Sequence, residues 1–238
     1  MQRRQFLMSM LAAPLVGAQA ADTPSLVLVL VDASLTIPDL RDFRQAWKTV
    51  SARAVGGDRI VIAVVSGHIG KSENSALTET GDFELPLKGW NDNPFTYDES
   101  LTTAKTELTT DFEAALAKTR PDRTELLRSI RDAGRYFGGE KKRRKLLVIL
   151  SDMLQDSAEY RFTRISVSEP FTKSVIAKAQ KDQLMPDLHG VTVYTQVPGV
   201  AAPAKADEVE RFWIAYLSAA GAQIDQHTYG TLTNYRRQ

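Results

Sequence analysis

Short apolar runs alternate with longer stretches of helical periodicity along most of the chain. Continuous runs of Leu, Val and Ile occupy residues 26–31, 60–65 and 146–150, and a further strand pattern covers residues 191–197. Such runs are typical of strands that are buried on both faces, as in parallel sheets flanked by helices. Between the strands, apolar residues recur at helical spacing in five stretches: 37–55, 99–118, 122–137, 170–183 and 207–220.

The order of these elements predicts a doubly wound α/β fold with a sheet of five or six mostly parallel strands. Residues 66–97 interrupt the order, and within them Phe83, Leu85 and Leu87 alternate with polar residues. This pattern predicts a surface excursion that contains a hairpin and a short edge strand. At 238 residues, 43% of them hydrophobic, the chain is long enough to bury a full core, so residues 21–238 are expected to form a single domain.

The first 20 residues have the pattern of an export signal. A basic start precedes an apolar stretch at 6–16, and Ala18-Gln19-Ala20 supplies the small residues that signal peptidase selects. Arg3-Arg4-Gln5-Phe6-Leu7 resembles the twin-arginine export motif, although ordinary secretory signals also carry paired arginines. We therefore expect cleavage before Ala21 and a periplasmic or secreted protein with no membrane span in its mature form. An uncleaved amphipathic N-terminal anchor is the alternative.

Charge and cysteine content narrow the class of protein. Residues 1–20 contain two of the 30 basic residues and no acidic residue, which leaves 28 basic and 29 acidic side chains in the remainder. This near-neutral balance does not indicate nucleic acid or an anionic membrane as a partner. The chain has no cysteine, so it has neither a disulfide framework nor a thiol for lipid attachment.

Aspartates follow two of the predicted buried strands. Asp32 comes directly after the first strand, and Asp152 follows the strand that ends at Leu150. The carboxyl ends of parallel strands form the edge at which open α/β sheets bind their ligands. Ser34 and Thr36 follow Asp32 at a spacing of two, so a tight loop can turn one carboxylate and two hydroxyls toward a common point. Oxygen ligands of this kind favour a hard cation.

The segment LVLVLVDASLT, residues 26–36, resembles the first strand and loop of a von Willebrand factor type A (VWA) domain. In that family the metal-ion-dependent adhesion site begins with the motif Asp-x-Ser-x-Ser. Asp32, Ser34 and Thr36 match the motif, with threonine in the last place.

Two later residues extend the resemblance over nearly the whole mature chain. Thr124, in DRTELL, is similar to the family's threonine from a later loop at a helix start. Asp152, in LSDM, is similar to its aspartate after the fourth strand. Arg123 and Met153 stand where family members usually carry glycine.

The resemblance implies an exported protein-binding domain and not an enzyme. It implies that Mg²⁺, or Mn²⁺ or Ca²⁺ in its place, is held by five residues: Asp32, Ser34, Thr36, Thr124 and Asp152. In the family the hydroxyls bind the ion directly and at least one aspartate acts through water. An acidic side chain from a protein partner then fills the open position on the ion. In the alternative of a metal-free VWA-like scaffold, these side chains only cap loops and helix ends.

The sequence gives weaker support to an enzymatic function. His68, His189 and His227 are dispersed, without the spacing of a zinc site, and are expected in loops or on the surface. The chain contains no Gly-x-Ser-x-Gly elbow. Gly70-Lys71-Ser72 lacks the glycine that a phosphate-binding loop carries five positions earlier, where Val65 stands. A magnesium-dependent phosphoester hydrolase that uses the two aspartates is the enzyme alternative.

Two further features are given structural interpretations. The basic run EKKRRK, residues 140–145, lies between a helix and a buried strand and is interpreted as a solvated loop. Phe212, Trp213 and Tyr216 fall on one helical face and are expected to pack on the sheet.

Overall fold

A computed structural model describes residues 23–37, 39–66, 75–89, 91–118, 123–198 and 203–235. The strands are β1 (Ser25–Val31), β2 (Arg59–Val65), β3 (Leu77–Glu84), β4 (Arg144–Leu150) and β5 (Val191–Gln196). The helices are α1 (Arg41–Ala52), α2 (Pro94–Ala117), α3 (Leu126–Phe137), α4 (Glu169–Lys181) and α5 (Pro203–Ala219), and a 3-10 turn covers Leu232–Asn234. None of the described helices has the length and apolarity needed to cross a membrane. The predicted signal, His68, Gly70-Lys71-Ser72 and the break at Arg120-Pro121 lie outside the described residues.

The strands form one five-stranded sheet in the order β3-β2-β1-β4-β5. All neighbouring pairs are parallel except β2 and β3, which form the predicted hairpin. All seven residues of β1 are buried, because this strand is central and both faces of the sheet are covered. The predicted doubly wound, mostly parallel α/β fold is therefore confirmed.

Alternate residues of the central strand serve two separate cores. Leu26, Leu28 and Leu30 pack on one face, against residues of α3, α4 and α5. Their neighbours Val27, Val29 and Val31 pack on the other face, against α1 and α2. This division follows from the two-residue period of a strand, which points successive side chains to opposite faces. Phe212, Trp213 and Tyr216 lie in the first core, as the sequence predicts.

The first helix is shorter than the predicted span of 37–55. Pro38 disfavours helical backbone at Ile37, and α1 begins only at Arg41. Just before the helix, the carboxylate of Asp39 accepts a hydrogen bond from the Arg41 backbone N–H at 2.9 Å, as aspartate does in local turns. The loop between β1 and α1 is consequently long enough to carry Ser34 and Thr36 outside regular structure.

The edge strand lies earlier than the alternation of Phe83, Leu85 and Leu87 predicts. β3 pairs with β2 from Leu77 to Glu84, so only Phe83 of the three belongs to it. Leu85 is buried after the strand, and Leu87 is 64% exposed. The sequence pattern does not predict the start of β3, because an edge strand with polar residues such as Thr78 has no apolar alternation to mark it.

Candidate metal centre

Asp32 lies immediately after β1 and is fully buried. Its backbone N–H donates to the Leu150 carbonyl at 2.9 Å, so the ladder between β1 and β4 continues into the loop. Oδ1 of its carboxylate accepts the Ser34 backbone N–H at 3.0 Å. This local turn is one that aspartate forms readily, and it points the following hydroxyls back toward the carboxylate.

The loop after β4 approaches the same carboxylate from the neighbouring strand. The Ser151 hydroxyl donates to Oδ2 of Asp32 at 2.6 Å and accepts the Met153 backbone N–H at 2.9 Å. Oδ1 of Asp152 accepts the Leu154 backbone N–H at 2.9 Å. Adjacent parallel strands thus bring together two carboxylates that are 120 positions apart in sequence.

Two hydroxyls connect these carboxylates. The Ser34 hydroxyl lies near the Asp32 carboxylate and lowers its pKa, and its Oγ is 2.7 Å from Oγ1 of Thr36. The Thr36 hydroxyl in turn lies near Asp152 and lowers the pKa of that carboxyl. We call Asp32, Ser34, Thr36 and Asp152 the carboxylate–hydroxyl cluster. Thr36 is exposed, so the cluster opens to solvent on that side.

Burial disfavours the charged forms of both acids, and repulsion by Asp152 adds to this effect at Asp32. Burial, together with the nearby Asp152 carboxylate, raises the pKa of Asp32 from 3.8 to about 6, against the hydrogen bonds from Ser151 and Ser34. Burial also raises the pKa of Asp152, although its bonds to Leu154 and Thr36 oppose the change. A cation between the two carboxylates would remove this electrostatic penalty.

Thr124 is brought to the same edge of the sheet but is joined to it differently. Its backbone forms an isolated antiparallel bridge with Asp156, with N–O distances of 3.1 and 3.0 Å. Its side chain is buried. Within the described part of the chain, neither of these bonds reaches the carboxylate–hydroxyl cluster, so the structure groups four of the five predicted residues and does not join Thr124 to them.

Met153 adopts the backbone conformation that the glycine of the related motif would allow. Its φ angle is +61°, in the left-handed region that favours glycine, while its side chain is fully buried. The indole N–H of Trp213 donates to the Met153 carbonyl at 2.8 Å. The buried side chain and this hydrogen bond hold the loop in its turn despite the missing glycine.

Sequence reasoning missed Ser151 and Trp213 as parts of this site. Ser151 directly follows β4, so its position at the carboxyl end of a buried strand was an available signal. Trp213 lies on α5 and gave no local signal, because only the packing of that helix on the sheet brings its indole to the loop after β4.

The donor set fits a hard divalent cation. Among the described residues, no group of three or more His, Cys, Asp or Glu side chains could hold a metal ion. An ion here would therefore depend on two carboxylates, hydroxyl oxygens and water. Mg²⁺ prefers this chemistry, because it requires oxygen ligands and retains several of its waters.

A cavity of about 290 Å³ opens beside Asp152. Lys205, Glu210 and Tyr229 are among its lining residues. The Lys205 ammonium donates to the carbonyls of Phe162 and Ile165 at 2.6 and 2.9 Å, so a cation is fixed at the cavity wall. Burial raises the pKa of Tyr229 above its usual range, so its hydroxyl remains a potential donor at neutral pH.

Comparisons with known proteins yield similarities of fold alone. No family model and no curated protein sequence matches the chain. BatB from Bacteroides thetaiotaomicron is similar over 88% of this chain and 92% of its own, with a TM-score of 0.42 and 11% identity. A manganese-loaded TRAP protein from Plasmodium vivax is similar over 87% and 68%, with a TM-score of 0.41 and 13% identity. A von Willebrand factor type A structure from Catenulispora acidiphila is similar over 84% and 43%, with a TM-score of 0.37 and 15% identity.

Proposed function

We propose that the protein binds a partner protein through a divalent cation at the carboxyl end of its sheet. The observation that carries the proposal is the convergence of Asp32 and Asp152 with the hydroxyls of Ser34 and Thr36. The four side chains would hold Mg²⁺ or Mn²⁺, with Thr124 as a fifth ligand after local rearrangement. A bound ion would supply spare positive charge, and the exposed Thr36 marks the side on which the cluster opens to solvent.

The partner would offer an acidic side chain to this position. The cavity beside Asp152, where the Lys205 ammonium is held at the wall, adjoins one of the proposed ligands. A second negative group of the partner can pair with that ammonium. Opposite charges brought together in this way favour association and select against basic partners.

We also propose that the protein works outside the cytoplasm and is not an enzyme. The basic start, apolar stretch and Ala18-Gln19-Ala20 of residues 1–20 support export. With residues 1–20 removed, the mature chain would act as an interaction domain whose metal edge is available to an exported or envelope partner.

Capture from periplasmic extract tests the proposal directly. Immobilised wild-type protein should retain a partner in Mg²⁺ or Mn²⁺ and release it when EDTA is added, because the cation bridges the two proteins. The Asp152→Asn variant should not retain it. Asp98→Asn, an exposed aspartate on α2 at the other end of the sheet, provides a matched control that should behave as wild type.

Two results would contradict the proposal. Retention of the same partner with and without chelator would favour the metal-free scaffold. Cation-dependent hydrolysis of a generic phosphoester such as p-nitrophenyl phosphate, lost in Asp152→Asn and kept in Asp98→Asn, would favour the hydrolase.

A further inference from the structure

The edge of the sheet opposite the metal centre carries the basic run of residues 140–145. β4 begins there at Arg144, which pairs in register with Ser25 of β1. The Arg144 backbone N–H donates to the Pro24 carbonyl at 3.0 Å. Pro24, at the start of the described residues, therefore lies beside this basic run.

Most cations of the run are exposed to solvent. Lys141, Lys142 and Arg144 are exposed, and none of them forms an ion pair with a described residue. Arg143 differs, because its guanidinium bonds to Glu84, Glu140 and the Gly57 carbonyl. Arg143 thus pairs with two nearby carboxylates, while the other three cations face solvent.

Exposed apolar side chains lie at the same edge. Leu87 is 64% exposed and Phe95 is 84% exposed. A methyl group added to Gly57 would lie 2.6 Å from Cδ2 of Leu87 and 3.0 Å from Cγ of Pro24, so the three residues are in close contact. Phe95 occupies the first turn of α2, two residues before Tyr97, whose ring lies 5.6 Å from the Lys88 ammonium.

We propose that the protein docks on an anionic lipid bilayer through this surface, which we call the basic edge: Leu87, Lys88, Phe95, Lys141, Lys142 and Arg144. Cations at the level of the headgroups and apolar side chains at the acyl boundary together give a surface affinity for anionic lipid. The proposal is independent of the metal centre.

The docked orientation would direct the metal centre away from the bilayer. The seven residues of β1 rise about 3.3 Å each, so about 20 Å separates the basic edge from Asp32.

Vesicle sedimentation tests the proposal. The protein is purified as the producing cell accumulates it, and mass spectrometry establishes its N-terminus. Wild type should sediment with vesicles of phosphatidylglycerol and phosphatidylcholine, and binding should weaken as salt is raised. Lys141→Gln with Lys142→Gln should lower the partition coefficient roughly 30-fold. Lys48→Gln with Arg164→Gln removes two exposed charges elsewhere and should leave it within about twofold.

The apolar part of the surface has its own variant. Phe95→Ser should weaken binding to the same vesicles at high salt, where the charge contribution is screened. Circular dichroism should show that every variant remains folded, since all the altered side chains are exposed. Absence of wild-type binding, equal binding of the two double variants, or binding only to nucleic acid or an acidic protein would overturn the proposal.

Discussion

At the scale of single residues, the carboxylate–hydroxyl cluster is electrostatically unfavourable without a cation. Asp32 is fully buried and lies near the charge of Asp152, which follows the neighbouring strand β4. Donors from Ser34 and Ser151 compensate part of this penalty but not all of it, since the pKa of Asp32 remains raised. Changes to either aspartate should therefore alter the response to metal and to pH more than they alter packing.

The first prediction concerns Asp152→Asn and the response to cations. Wild type should melt at higher temperature as Mg²⁺ or Mn²⁺ rises above its dissociation constant, because binding to the folded state stabilises by RT ln(1 + [L]/Kd). The variant should show no such gain, and Asp98→Asn should show the full gain. Differential scanning calorimetry measures the shift. If neither ion raises the melting temperature of wild type, the site does not bind the metal.

The second prediction concerns pH in the metal-free protein. Asp32 binds its proton more tightly when folded, with a pKa of about 6, than in the unfolded chain, where 3.8 is ordinary. Its contribution to stability is complete below about pH 4 and is lost as pH rises through 6, a change on the order of 3 kcal/mol. Urea unfolding in EDTA at several pH values measures this slope.

The Asp32→Asn variant isolates that contribution. It has no proton to release in this range, so the free energy of unfolding should fall less steeply between pH 4 and 6 than in wild type. In wild type, cation affinity should rise with pH over the same range, because the ion binds only the charged carboxylate. Parallel pH profiles for variant and wild type would show that Asp32 keeps an ordinary pKa.

The third prediction concerns the left-handed backbone at Met153. Met153→Ala and Met153→Gly both lose a buried side chain and should be destabilised by about 2 to 5 kcal/mol. Glycine adopts a φ of +61° without strain, whereas alanine does not. The glycine variant should therefore be the more stable of the two by about 1 kcal/mol in urea unfolding.

Ala46→Gly provides the control for that comparison. Ala46 lies within α1, where glycine is about 1 kcal/mol less favourable than alanine. The order of stability should thus be opposite at the two positions. If alanine is also preferred at position 153, the loop does not have the left-handed turn.

At the scale of elements, β4 is the strand that joins the core to the candidate site. It lies between β1 and β5, and its residues from Leu146 to Leu150 are buried. Ser151 and Asp152 follow it directly, so the placement of both depends on the register with β1. The core and the site are therefore adjacent along one strand, but the core depends on apolar packing and the site on charged and polar groups.

The fourth prediction separates these interactions by substitution. Ile149→Ala leaves a cavity in the core and should lower the free energy of unfolding by about 3 kcal/mol. Asp152→Asn leaves no cavity and should lower it by less than about 1 kcal/mol in the absence of metal. Leu184→Ala, at a side chain that is 43% exposed, is the control and should have a small effect. A large metal-free loss in Asp152→Asn would identify the aspartate as structural.

At the scale of the whole molecule, the fold separates two kinds of surface at the ends of its strands. The carboxyl ends carry the cluster of Asp32 and Asp152, and the amino ends carry Lys141, Lys142 and Arg144 beside Pro24. A membrane-facing end and a partner-facing end are the functional arrangement that we propose for an exported chain.

The fifth prediction concerns export of the whole chain. Protein recovered from the periplasm should begin at Ala21, since Ala18 and Ala20 supply the cleavage-site residues. Replacing Arg3-Arg4 with Lys-Lys should block export if the twin-arginine route is used. N-terminal sequencing and cell fractionation provide the measurements. Unchanged export of the Lys-Lys variant would assign the chain to the general secretory route, and retention of residues 1–20 would indicate an anchor.

The sequence by itself determined the fold class and the approximate place of each strand. Continuous apolar runs such as 26–31 and 146–150 require burial on both faces, and helical periodicity between them supplies the covering layers. It also placed Asp32 and Asp152 at strand ends, because that position depends only on where an apolar run stops. These are local properties of the chain, and no knowledge of strand order is needed to read them.

Tertiary structure alone decided which groups meet across the sheet. The bond from Ser151 to Asp32, the indole of Trp213 on the Met153 carbonyl and the backbone bridge of Thr124 all join residues that are distant in sequence. Their meeting depends on the order β3-β2-β1-β4-β5 and on register, which apolar periodicity leaves open because each strand could pair with several others. The same order brings the basic run beside Pro24, so the charged surface exists only in the folded chain.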